Sequence, residues 1–70
     1  MRYWLKNLRD EKSLTMKDVA SKLGISESYY CLIEKGERQK KMDMILVSGL
    51  SSVLGIPISK IIQEERRASK

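Results

Sequence analysis

The chain has no histidine and a single cysteine, Cys31, in 70 residues. Without histidine the commonest general base is missing. No paired carboxylate or phosphate-cradling glycine loop replaces it, so an enzyme reading has little to build on. One cysteine excludes an internal disulfide and a cysteine-rich metal site, gives no reason to expect a metal or cofactor, and suits a reducing cytoplasm. Cys31 reads most simply as a small, half-buried side chain, because a redox sensor needs an exposed, electropositive thiol. Long apolar runs are missing too: nothing approaches the ~20 residues of a membrane span, and Arg2, Lys6 and Arg9 interrupt any signal-peptide core. No strand alternation, internal repeat or low-complexity tract is present.

Basic residues are plentiful. Fourteen Lys+Arg stand against nine Asp+Glu, a net charge of +5 with a pI near 9.6, which suits a polyanionic partner. Many small proteins are this basic, so charge points to nucleic acid only when a motif supports it. A chain this short buries only about 60% of its unfolded surface. We therefore expect one small domain, residues 1–66, with a polar tail at 67–70, and dimerisation would add stability.

Thr15 to Glu34 reads as two short helices hinged at Gly24. Thr15 is a good N-cap, and Asp18 three residues on returns the bond to the Thr15 backbone, an acidic variant of the capping box. Val19, Ala20 and Leu23 then form one stripe, and the small Ala20 permits a close helix crossing. Gly24 ends this helix by taking the left-handed conformation of a tight turn. Ser26 caps the next, whose Tyr30 and Ile33 are the buried pair. Glu27, Ser28, Tyr29 and Leu32 consequently face elsewhere.

Upstream, Arg2 to Lys12 carries Leu5 and Leu8 at i, i+3 with charges between, a first amphipathic helix whose apolar edge Trp4 and Met1 extend. Downstream, Lys35 to Lys41 is a polar, basic loop. Met42 to Leu54 is apolar again, with Ile45, Leu46, Leu50 and Leu54 on a stripe. Gly49 costs that helix roughly 1 kcal/mol relative to alanine, unless it serves close packing. Gly55 closes it, and Pro57 suits the first turn of a last helix from Ile58 to about Glu65. At least two of Ile58, Ile61 and Ile62 are expected to pack on the first helix through Trp4 and Leu8; a dimer surface is the alternative. Beyond them a polar segment frays. The expected fold is all-α, a bundle of about five helices.

The stretch from Leu14 to Gly36, L-T-M-K-D-V-A-S-K-L-G-I-S-E-S-Y-Y-C-L-I-E-K-G, resembles the Cro/CI-type (XRE-like) helix-turn-helix family. Its members often read L-T-Q-x-x-L-A-x-x-L-G-[VI]-S-x-x-x-[IV]-x-x-[IWL]-E-x-G. The likeness extends to L-x-x-L-R at Leu5 to Arg9 and, more loosely, to L-x-x-x-L-G-I-P at Leu50 to Pro57. It implies a lambda-repressor-like domain that reads a double-stranded DNA operator as a transcriptional repressor or regulator, as a homodimer on a palindrome. The family usually has glycine near Ser13, so Ser13 is expected to be slightly strained. Met16 stands where the family commonly has a phosphate-binding glutamine, and that contact is not carried over.

The base-reading positions implied by the resemblance are Glu27, Ser28, Tyr29 and Leu32. Their chemistry fits: a carboxylate accepts from the cytosine amino group, a hydroxyl bonds either kind of edge, and leucine packs on a thymine methyl. Glu27 also stabilises its helix dipole whatever the function. Phosphate contacts fall to Thr15 and Lys17 at one helix start and to Lys35, Arg38, Lys40 and Lys41 in the loop. Arg9 and Glu34 are the family's structural ion pair, fixing the first helix against the recognition helix. A second reading keeps the fold and makes it an antitoxin or interaction module with a protein partner. An apolar surface of Met16, Tyr30 and Leu32 would favour that reading.

Overall fold

The three capping serine, threonine and aspartate positions set most of the helix starts. Thr15 Oγ1 accepts from the Asp18 backbone N–H at 3.0 Å while the Thr15 N–H donates to Asp18 Oδ2 at 2.9 Å, closing the capping box. These bonds hold the Asp18 carboxyl below the ordinary aspartate value. Ser26 Oγ accepts from Tyr29 N–H at 3.1 Å, and Asp43 Oδ1 accepts from Leu46 N–H at 2.8 Å. The computed structural model describes residues 1–68. Among them are five helices and no strand: α1 (Tyr3–Glu11), α2 (Met16–Leu23), α3 (Glu27–Lys35), α4 (Met44–Leu54) and α5 (Ile58–Ala68). Gly24 makes the α2–α3 turn at φ +73°, and Ser13 takes φ +56°, the strained position expected of it.

α2 packs on α3 and α4, α4 on α5, and α1 on α3. Leu5, Val19, Ala20, Tyr30, Ile33, Leu46, Val47, Leu50, Leu54 and Ile61 form the core. No single helix among the described residues is long and apolar enough to cross a membrane.

The α4 stripe differs from the expected one. Ile45 is 86% exposed, and Val47 takes the core place beside Leu46, Leu50 and Leu54. The cause is helical periodicity: Leu46, Leu50 and Leu54 advance in one sense round the axis, which brings Val47 under the stripe and turns Ile45 away from it. Of the three isoleucines on α5 only Ile61 is buried, while Ile58 and Ile62 are exposed, which corrects the expectation that two would pack inward. α5 also runs to Ala68, three residues beyond Glu65, because Glu64 pairs with Lys60 and Arg67 and Glu65 is anchored to the start of the chain. Of the polar segment expected to fray, Ser69 and Lys70 lie outside the described residues.

Gly49 serves close packing. A Cβ built there would lie 2.7 Å from Leu23 Cδ2 on α2. Leu23 is half-buried and borders a surface groove with Ile25, Tyr29 and Ile45, so its side-chain tip has somewhere to go. Gly49→Ala is therefore expected to stay within about 1 kcal/mol of the parent, the helix-propensity gain offsetting the shift. Gly49→Leu, which has no room, should cost about 2–3 kcal/mol in denaturant unfolding. Equal stability of both variants would show that α2 and α4 are not tightly apposed here.

Candidate nucleic-acid interface

Burying Tyr30 and Ile33 rotates the opposite face of α3 to the surface. Glu27 and Ser28 are exposed there, and Tyr29 and Leu32 are half-buried. Tyr29 packs on the core and its hydroxyl accepts from Gln39 Nε2 at 3.0 Å, tying α3 to the following loop and leaving its own O–H free to donate. The half-buried hydrophobics packed on the core include Met16 and Tyr29 but not Leu32. Tyr30 is completely buried, so it contributes nothing to an apolar surface with Met16 and Leu32. That part of the antitoxin argument falls away, because Tyr30 sits on the inward side of the same helix. Its hydroxyl is enclosed and has no hydrogen-bond partner among the described residues, and burial followed by the nearby Glu34 carboxylate pushes its pKa well up.

The start of α2 lies beside this face. Met16 shares a shallow hollow with Glu27, Ser28, Cys31 and Leu32, which puts exposed Thr15 and Lys17 next to α3. Thr15 already uses its hydroxyl oxygen as an acceptor in the cap. At the other end Lys35 is the last helical residue of α3 rather than part of the loop, and Arg38, Lys40 and Lys41 follow, all exposed. Lys40 and Lys41 line a groove with Met42, Val47, Ile61, Ile62, Glu65 and Arg66, on the α5 side of the loop.

Two buried arginines hold α3 in place. Arg9 Nε donates to Glu34 Oε2 at 2.6 Å and Nη2 to Oε1 at 3.4 Å, with Nη1 bonded to the Leu14 carbonyl at 2.9 Å. Both side chains are buried, and the bond to Glu34 outweighs desolvation, raising the Arg9 pKa further. Arg2 is the residue that sequence reasoning missed. It is 5% exposed, and its guanidinium donates to the carbonyls of Ile33, Arg38 (3.2 Å) and Gln39 and to Glu65 Oε1 at 2.8 Å. Its backbone N–H donates to the Glu34 carbonyl at 2.7 Å, and Trp4 Nε1 reaches Glu65 Oε1 at 3.1 Å. One side chain thus bonds the Ile33 carbonyl in the last turn of α3, two carbonyls of the basic loop and Glu65 of α5. A signal existed: Arg2, Leu5 and Arg9 fall at i, i+3 and i+7, one face of α1.

The result is a capped helix whose outward side chains are polar or half-exposed, with Lys17 near its start and Lys35, Arg38, Lys40 and Lys41 at and beyond its end. An exposed helix face of this kind, with cations at its ends, is suited to a nucleic-acid groove and its phosphate walls. A family model described as helix-turn-helix matches residues 5–61. The chain is 28% identical over 60 residues to the cryptic phage CTXphi transcriptional repressor RstR of Vibrio cholerae, covering 86% of this chain and 52% of that protein. It is 40% identical over 55 residues to an uncharacterized HTH-type transcriptional regulator, YqaF, of Bacillus subtilis (strain 168), covering 79% of this chain and 70% of that one. The chain therefore spans about half the length of the Vibrio repressor.

Proposed function

We propose, from the premise that this chain belongs to the helix-turn-helix family, that it regulates transcription in the cytoplasm by laying α3 in the major groove of a double-stranded operator. The observation that carries this reading is the outward face of α3, where Glu27, Ser28, Tyr29 and Leu32 stand beside the capped start of α2. In this reading those four residues meet base edges. Thr15, Lys17, Lys35, Arg38, Lys40 and Lys41 meet phosphates, and the Arg9–Glu34 pair sets the angle of α3. We assign the role of repressor by likeness to the Vibrio repressor, and we propose a homodimer on a palindromic site. The exposed Ile58 and Ile62 of α5 offer an apolar surface for its contact.

Selection from a random duplex pool, followed by titration of the enriched site and a scrambled control at two salt concentrations, tests the reading. A palindrome bound far more tightly than the control supports it; uniformly weak, salt-sensitive binding refutes it. On the enriched site Ser28→Ala should lower affinity by about 1–3 kcal/mol while leaving scrambled DNA unaffected. Lys35→Ala should weaken both and reduce the salt slope by about one. Equal losses on both duplexes for Ser28→Ala would remove it from the base contacts, and a monomer by sedimentation on the full site would remove the palindrome.

A further inference from the structure

The hollow between the start of α2 and the outer face of α3 has a composition the general reading leaves unexplained. Its walls are the Met16 thioether, the Cys31 thiol and the Leu32 isobutyl group, all half-buried, and its polar edge is Glu27 and Ser28. Met16 is among the half-buried side chains packed on the core, whereas Leu32, also half-buried, is on the outer face of α3 beside it. Cys31 and Leu32 lie four residues after Glu27 and Ser28, so the apolar and polar walls are successive turns of one helix face. Lys35, one turn beyond Leu32 and Cys31, and Lys17, next to Met16, put positive charge at both ends. An apolar spot framed by cations, on the face that meets a polyanion, matches the one apolar group a major groove displays.

We infer that Met16, Cys31 and Leu32 form a receptor for the 5-methyl group of a pyrimidine, and that Met16 is a specificity-determining residue. The inference rests on the DNA-binding reading and deepens it. The flexible, polarizable Met16 side chain closes over the methyl from the α2 side while Leu32 supports it from α3. The polar edge fits the group beside that methyl: the Ser28 hydroxyl donates to thymine O4, and the Glu27 carboxylate accepts from the N4 amino group of 5-methylcytosine. The shared chemistry is the C5-methyl, and the two bases that carry it are separated by experiment.

On the site enriched from the random pool, each thymine is replaced singly by deoxyuridine and each cytosine by 5-methyldeoxycytidine, and each duplex is titrated with the parent, Met16→Gln and Leu32→Ala. Circular dichroism establishes that both variants are folded. The expected result is one position per half-site at which the presence of a single methyl tightens parent binding roughly fourfold, the transfer value of one buried methyl, and less than twofold in either variant. A loss with deoxyuridine identifies thymine, and a gain with 5-methyldeoxycytidine identifies methylated cytosine. Should Leu32→Ala fail to fold, the parent scan and Met16→Gln carry the test. Specific binding with no methyl-sensitive position, or with the same sensitivity in parent and Met16→Gln, overturns the receptor and leaves the DNA-binding reading standing. Failure to enrich any sequence overturns both.

Discussion

Glu34→Ala is expected to remove about 3–5 kcal/mol of unfolding free energy, enough to leave a 70-residue domain largely unfolded at 25 °C. Glu34 is wholly buried and receives Arg9 at 2.6 Å and 3.4 Å. Without it the buried Arg9 guanidinium keeps only the Leu14 carbonyl and a 3.5 Å approach to Asp10, whose side chain is half exposed. The loss measures an orphaned buried cation and not the net worth of the pair. Replacing both partners, as Arg9→Met with Glu34→Leu, should accordingly recover most of the stability. Urea unfolding of the parent, Arg9→Met, Glu34→Leu and the double variant forms a complete cycle. A cost below 1 kcal/mol for Glu34→Ala, or a double variant no better than the singles, would show that water reaches the pair.

The second large effect belongs to Arg2→Ala, expected to cost about 2–3 kcal/mol because several acceptors lose their donor together. The Ile33, Arg38 and Gln39 carbonyls and the Glu65 carboxylate all converge on that guanidinium. Trp4 Nε1 still bonds Glu65, and its side chain is 21% exposed, so the penalty should fall short of that at Glu34. The loss should have a local signature that general destabilisation lacks. Amide exchange should accelerate first at residues 37–41, and affinity for random duplex should fall, since the loop carrying Arg38, Lys40 and Lys41 is no longer shaped. Arg2→Lys keeps the charge but not the planar fork that spans several acceptors, and should restore less than half of the lost stability. Uniform exchange changes across all five helices would contradict a role centred on the loop.

Both arginines belong to the first helix, Arg2 as its N-cap and Arg9 within it, yet they differ in how readable they are. Arg9 and Glu34 were placed by resemblance to a family pattern, whereas Arg2 carries no such pattern and a charge near a chain start reads as solvated. Its burial follows from where α3 ends: three carbonyls near Gly36 point at one spot, and only a long multi-donor side chain reaches them. Ile45 and Val47 fail differently. The apolar run from Met44 to Val47 gives no unique stripe by itself, and the later leucines, Leu50 and Leu54, place the buried side toward Val47 and away from Ile45. Tyr29, expected outside, lies halfway, because Gln39, four residues past the end of α3 in a left-handed conformation, bends back to its hydroxyl.

What the sequence determined alone is what local chemistry can enforce. The capping box at Thr15, the left-handed turn at Gly24, the cap at Ser26 and the alternation of Tyr30 with Glu27, Ser28 and Leu32 each depend on residues within four positions of one another. Those signals specify two helices, the turn between them and the outward face of α3 that we propose for DNA. The tertiary structure decided everything that needed a distant partner: Arg2 on the end of α3 and on Glu65, Leu23 against Gly49, and Met16 beside Leu32 across two helices. Periodicity specifies which side of a helix is apolar, but burial of a charge, or exposure of an isoleucine, depends on what the rest of the chain brings to that side.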